Sequence, residues 1–272
     1  MGEIFIEATD VSKEIDGQTI LNQLSFRLEG NKAIAIRGQN GSGKSTFLKL
    51  LAGIYEPTNG IIKRGKYRIG YVPEHFPETL PFRLNEYLSI IASFHGNTKP
   101  EMKSTLSSYI RLFSIESFLD TPLKKCSKGT RQKVGLIQAL MINPDILLLD
   151  EPLTGLDHDS QHHLLQLLEK RKKKCMIIFT THEDRLIEKI ADESYLLESG
   201  TLSISKMKSL KKKRIKINYR MSDILQDLDL ITHDPKEKIA ILSVDPDQCD
   251  ALLLHLLQNH CSILEVGEEE RT

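Results

Sequence analysis

The sequence carries no net charge. Thirty-seven Lys and Arg residues balance 37 Asp and Glu, so no global field draws the chain onto nucleic acid. It has no run near the roughly 18 uninterrupted apolar residues that a membrane-spanning helix needs. Its start, Met1-Gly2-Glu3-Ile4, places an acid where a secretory leader carries a basic start and an apolar core. The expectation is a chain that stays in the cytosol, alone or docked to something. Cysteine is scarce: Cys126, Cys175, Cys249 and Cys261 form no CxxC pair, so metal and redox-motif readings lack their spacing. Two disulfides are arithmetically possible, but a reducing compartment disfavours them. The four are read as small buried apolar residues. What is present is ordinary globular composition, 40% hydrophobic and 27% charged over 272 residues. At about 150 residues per domain this allows one large domain, or one with an appendage.

Periodicity sketches an α/β chain. Ile4, Ile6 and Ala8 alternate with Phe5 and Glu7; a turn at Asp16-Gly17 leads to a second run, Gln23 to Leu28, as in an antiparallel hairpin. Ala33 to Ile36 suits a buried strand. A glycine-rich loop follows, and then Phe47, Leu48, Leu50 and Leu51 recur at helical spacing up to Gly53. From about residue 80 to 130 the text turns helical, with Leu84, Tyr87, Leu88 and Ile91, then Leu106, Ile110 and Phe113. The α/β pattern resumes with helix 134–140, strand 146–149, helix 164–168, and strands 176–179 and 194–197. The lysine-rich stretch 206–214 reads as a linker closing a first domain at 205. Residues 215–272 read as a small βαββαβ, ferredoxin-like unit with its helices at 223–228 and 248–258. No internal repeat is visible.

The sharpest local signal is Gly38-Gln39-Asn40-Gly41-Ser42-Gly43-Lys44-Ser45, which fits G-x-x-x-x-G-K-[ST]. Chance supplies that pattern roughly once in a hundred chains of this length, and a strand before it and an amphipathic helix after it lower the odds further. Glycines let backbone N–H groups close around phosphate oxygens. The helix N-terminus adds unpaired donors and a positive dipole end. Lys44 supplies a charge to the β- and γ-phosphates, and the Ser45 hydroxyl suits Mg2+. A second signal is the apolar run Ile146 to Leu149 ending in Asp150-Glu151. Adjacent carboxylates at a strand's C-terminal end sit where open α/β sheets place ligands. Asp150 is expected to hold a Mg2+-bound water, and Glu151 to accept the proton of an attacking water.

With these residues in place the chain resembles the nucleotide-binding subunit of ATP-binding cassette (ABC) transporters over about Ile4 to Leu202. Cys126-Ser127-Lys128-Gly129-Thr130 is similar to the family signature Leu-Ser-Gly-Gly-Gln, matching at Ser127 and Gly129. Leu153-Thr154-Gly155-Leu156-Asp157 is similar to the D-loop, Thr180-Thr181-His182 to the switch histidine segment, and Gly70-Tyr71-Val72-Pro73-Glu74 to the Q-loop, with Glu74 in place of glutamine. The resemblance implies a P-loop NTPase fold: a mixed sheet, an antiparallel β subdomain, a helical subdomain, and here a small C-terminal α+β domain. It implies ATP bound by Gly38, Asn40, Gly41, Ser42, Gly43, Lys44, Ser45 and Thr46. Ile15, in Val11-Ser12-Lys13-Glu14-Ile15, stands where an aromatic covers adenine. It implies Mg2+ near Ser45, Glu74 and, through water, Asp150, and catalysis by Glu151, His182 and Lys44. Ser127, Lys128, Gly129 and Asp157 are implied to act across a head-to-tail homodimer.

The resemblance further implies an ATPase docked at the inner face of the cell membrane on a separate permease, coupled through the helical insertion and Glu74. The Ser-Lys-Gly signature form and the extra C-terminal domain point to export. The competing expectation is a soluble cassette ATPase acting on the ribosome or on nucleic acid. A single cassette, a short helical insertion and zero net charge weigh against it. Retention of Lys44, Asp150, Glu151 and His182 weighs against an inactive cassette. His158, His162 and His163 are read as a polar helix face rather than a metal cluster, and Lys170 to Lys174 as cations at a helix C-terminus.

Overall fold

Three strands, buried throughout except at Arg37, set the frame: β3 (Ala33–Arg37), β6 (Ile146–Asp150) and β7 (Met176–Thr180). Their side chains alternate between two cores. Ala33, Ala35, Leu147, Leu149, Ile177 and Phe179 enter one, while Ile34, Ile36, Ile146, Leu148, Met176 and Ile178 enter the other. A sheet covered on both faces needs such unbroken apolar runs, which is why these strands are legible as runs rather than as alternation. In the computed structural model, which describes residues 4–94, 100–205, 213–220, 222–225, 228–244 and 248–268, the chain forms two compact units, residues 1–207 and 208–272.

In the first unit β1 (Phe5–Ile15) and β2 (Gln18–Glu29) form the expected antiparallel hairpin, and β4 (Asn59–Arg64) pairs on the other side of β1. The strand expected from residue 23 starts at Gln18; Gln23, with φ 49°, is a kink within it rather than its beginning. The main sheet has the order β5-β6-β7-β3-β8-β9, with β5 (Ile69–Val72), β8 (Glu193–Glu198) and β9 (Thr201–Ile204). All its pairings are parallel except β8 with β9. Helix α1 (Lys44–Leu51) follows β3 and packs Phe47, Leu48, Leu50 and Leu51 into the core shared with the hairpin. Helices α2 (Leu84–Phe94) and α3 (Pro100–Leu112) form the helical insertion. Leu84 and Leu88 of α2 reach the other core, as do Tyr109 of α3 and Phe113 just beyond it. Helix α4 (Lys128–Met141) leads into β6, α5 (His158–Arg171) into β7, and α6 (Asp184–Ile190) into β8.

The second unit is a four-stranded antiparallel sheet of order β11-β12-β10-β13, built from β10 (Lys213–Asn218), β11 (Leu230–Asp234), β12 (Ile239–Val244) and β13 (Ser262–Glu268). Helix α7 (Cys249–Gln258) buries Cys249 and Leu256 against Ile215, Ile217 and Leu242. Of the helix expected at 223–228, residues 226 and 227 lie outside the described residues; Ser222–Leu225 form a 3-10 turn, whose Leu225 enters that core. The basic linker read at 206–214 lies outside the described residues up to 212, and Lys213 and Arg214 already belong to β10. All four cysteines are buried thiols. Among the described residues no helix is long and apolar enough to cross a membrane.

Candidate functional site

Because β3 and β6 both flank β7, the three adjacent strands end at one edge. The glycine loop leaves β3 there, Asp150-Glu151 close β6, and Thr180-Thr181-His182 close β7. In a parallel sheet this carboxyl edge is where ligands collect.

The loop conformation demands its glycines. Gly38 (φ 154°) has no room for a Cβ, which would lie 2.3 Å from the Leu197 carbonyl oxygen and 2.5 Å from Ser42 Oγ. Gly43 (φ 98°) is the N-cap of α1 and packs against Ile20 and Leu21. The turn leaves the first N–H groups of α1 facing the loop, where no helical carbonyl can meet them. Lys44 is 8% exposed, and its Nζ donates to the carbonyl oxygens of Gly38 (2.9 Å) and Gln39 (3.1 Å). Ser42 Oγ is buried with no hydrogen-bond partner. A phosphate oxygen suits that orphaned hydroxyl and the ring of N–H donors around it.

The loop divides two clefts. The larger, about 780 Å3, is lined by Gln18 to Ile20 at the start of β2, by Arg37 to Ser42, by Thr181 and His182, and by residues 196–200. The smaller, about 390 Å3, brings together Asn40, Gly41, Gly43 to Thr46, Glu74, Asp150, Glu151, Thr154 and His182, with Ile20 at its rim. Eight of the nine residues read as nucleotide-binding from the sequence therefore border these clefts. Ile15 does not: it sits at the tip of the hairpin, and Ile20 is the apolar residue bordering both. Nothing in the local pattern distinguishes Ile20 from its neighbours; only the fold of β2 over the loop does so.

The carboxylates differ in setting. Asp150 is 2% exposed and accepts a hydrogen bond from Thr180 Oγ1 at 2.7 Å. Thr180 Oγ1 in turn accepts from the Glu151 backbone N–H at 3.0 Å, fixing Glu151 in a left-handed turn of φ 48°. Few non-glycine residues adopt such a backbone, and they gather at functional sites. Thr180 is thus the hinge between the two acids, a role the sequence motif alone does not show. Glu151 Oε1 lies 3.1 Å from His182 Nε2 without hydrogen-bond alignment, and His182 Nε2 is 3.4 Å from Lys44 Nζ. Burial pushes the Glu151 carboxyl above the usual range; nearby Asp150 adds to the rise, while His182 and Lys44 oppose it.

The donors at the small cleft fit a hard cation. Ser45, Asp150 and Glu74 offer only oxygen, the ligand type of Mg2+. Among the described residues no group of three His, Cys, Asp or Glu side chains can hold a metal by itself, so a cation there would share its ligands with phosphate.

Ser127, Lys128, Gly129 and Asp157 border neither cleft. Ser127 is the N-cap of α4, its Oγ accepting from the Thr130 N–H at 3.1 Å, and Ser127 and Lys128 are exposed. A Cβ on Gly129 would stand 2.2 Å from the Gly155 carbonyl oxygen, so the signature segment and the D-loop touch backbone to backbone. Asp157 is the N-cap of α5. Its carboxylate accepts from the Ser160 N–H (2.9 Å), Ser160 Oγ (3.0 Å) and Lys133 Nζ (2.6 Å). The hydrogen bond from Lys133 is the largest of the effects that hold its carboxyl far below the usual range.

Asp157→Ala removes a helix cap and leaves Lys133, 8% exposed, without its anion. Asp157 itself is 57% exposed, so water screens the pair, and the expected loss is about 2 kcal/mol, mostly from the cap. A depressed folded-state pKa means stability that is complete above about pH 4 and disappears as pH falls through the lower folded value. The gap in melting temperature between wild type and variant should therefore narrow from pH 5 toward pH 2.

The geometry agrees with comparisons to known proteins. The family described as "ABC transporter" matches residues 21–154. The zinc import ATP-binding protein ZnuC of Rickettsia conorii is 33% identical over 245 residues, 88% of this chain and 100% of the relative. Zinc import ATP-binding protein ZnuC 1 of Aliivibrio fischeri is 34% identical over 194 residues, covering 70% of this chain and 73% of the relative. A solved ATP-binding subunit of an ABC transporter superposes with a TM-score of 0.66 at 27% identity, covering 82% of this chain and 92% of that one.

Proposed function

Since the chain belongs to the ABC transporter family of ATP-binding proteins and is an ATPase, we propose that it energises a separate membrane permease from the inner face of the membrane, through ATP-dependent pairing of two copies. The observation that carries this reading is the convergence of Lys44, Ser45, Asp150, Glu151 and His182 on one cleft at the ends of three adjacent strands.

In this reading the N–H groups at the start of α1 and Lys44 hold the β- and γ-phosphates, with Ser42 Oγ meeting an oxygen as donor. Mg2+, held by Ser45, Glu74 and, through water, Asp150, would neutralise charge on the phosphates. Glu151 accepts a proton from water as that water's oxygen bonds to the γ-phosphorus and the bond to the β-phosphate oxygen breaks. His182, beside Glu151, orients the same water. The exposed N-terminus of α4 at Ser127, remote from both clefts of its own chain, is a second anion-attracting end. It suits the γ-phosphate held by another copy, with Lys128 adding charge. Asp157 acts at that interface by holding the D-loop through Lys133 and Ser160 rather than by offering a free carboxylate. The helical insertion and Glu74 face the permease.

Export, the direction expected from the signature form, gains no support from the relatives, whose names describe import; the proposal concerns energised transport alone. Purification from membranes together with an integral permease, followed by ATP-driven flux in vesicles containing both, tests it. A chain that hydrolyses ATP yet recovers only ribosomes or nucleic acid as partners would end it.

A further inference from the structure

Three carboxylates and one amine border the small cleft: Glu74, Asp150 and Glu151 against Lys44. The formal sum is two negative charges, in a space meant for a polyanion. Asp150 is buried and tied to Thr180, and Glu151 is wedged between β6 and His182. Glu74 differs from both. It follows β5 by two residues, its side chain is 39% exposed, and the ring nitrogen near it is that of His75, 3.6 Å away on a side chain 72% exposed. Its charge therefore reaches the cleft with little to offset it on the protein side. A cleft of about 390 Å3 is roughly 9 Å across, so any phosphate inside lies within about one Debye length of Glu74.

We infer that Glu74 makes triphosphate binding conditional on a divalent cation: with the cation present its carboxylate is a ligand, and without it the carboxylate repels the nucleotide. This rests on the phosphate-cradle reading above. A divalent ion brings the formal charge of the cleft wall to zero, whereas a glutamine at 74 would leave only one negative charge unbalanced when the metal is withheld. The carboxylate thus acts as a metal-sensing determinant of nucleotide affinity, and the dependence is a property of binding rather than of turnover.

Calorimetric titration with ATP, in excess Mg2+ and again in EDTA, tests this on wild type, Glu74→Gln and Glu74→Asp. The quantity read is the ratio of Kd in EDTA to Kd in Mg2+. Wild type and Glu74→Asp should share a large ratio, and Glu74→Gln should show one about tenfold smaller (about 1.4 kcal/mol). The drop should come from tighter metal-free binding. Equal ratios in wild type and Glu74→Gln, within twofold, would overturn the inference while leaving the cradle intact. Absence of ATP binding by wild type in Mg2+ would instead overturn the cradle reading, and this inference with it. Melting temperatures of the three proteins confirm that each is folded.

Discussion

Lys44→Ala is expected to weaken MgATP binding by about thirtyfold to several-thousandfold, with turnover lost in step. Lys44 combines burial, position at the first turn of α1, and an amine that donates to the Gly38 and Gln39 carbonyls and lies 3.4 Å from His182 Nε2. In the nucleotide complex the amine meets phosphate oxygens in a largely desolvated setting, where removing one partner of a charge pair costs about 2–5 kcal/mol. The variant also frees two loop carbonyls that Lys44 now satisfies. Lys44→Arg separates the effects: it keeps the charge but carries a planar fork too large for the two-carbonyl seat. Binding is read by calorimetry with MgATP, beside a melting curve that confirms folding. Retention of wild-type affinity in Lys44→Ala would refute the cradle, because no other lysine or arginine borders the small cleft among the described residues.

How far the sequence discloses this site depends on the range of the interactions that make it. The glycine loop is a local device: its φ values and its helix N-terminus follow from eight consecutive residues, and its location and boundaries are readable directly. The strands β3, β6 and β7 are readable for the same reason, since burial on both faces leaves an unbroken apolar run. β4 is not, because it is an exposed edge strand with Ile61 and Ile62 as its aliphatic content. The contribution of Ile20 depends on β2 folding across the loop, and that of Thr180 on β7 lying beside β6. The side-chain partners of Asp157 are a third case: Ser160, three residues on, is the local donor that an N-cap meets, whereas Lys133 arrives from another helix 24 residues away. In the second unit the first helix fails for a related reason. Ile224, Leu225 and Leu228 all pack on the core of that unit, and the described part of the segment, Ser222–Leu225, is a 3-10 turn whose apolar spacing alone does not tell it from a helix.

Glu151→Gln should reduce kcat by about a hundredfold to ten-thousandfold, the range for loss of a general base, while MgATP binding persists. The substitution keeps the shape of the side chain and replaces a carboxylate, which can take the water proton, by an amide, which is too weak a base to do so. Burial raises the folded-state pKa of this carboxyl, so the folded protein holds that proton more readily than the unfolded chain does. Stability from this group is therefore full below the unfolded-state value and declines as pH rises through the folded-state value; at neutral pH the buried carboxylate is a cost. Glu151→Gln should then be as stable as wild type at pH 7, or more so, and lost turnover cannot be assigned to unfolding. The acid limb of the wild-type kcat–pH profile should lie above the ordinary carboxylate range, and the residual rate of the variant should lack that limb. With hydrolysis blocked, MgATP should also hold two copies together, visible by light scattering as a doubling of mass that disappears when nucleotide is removed. A variant that binds MgATP but stays monomeric would leave the chemistry of Glu151 standing and remove the shared-site arrangement, since Ser127 would then have no phosphate to meet.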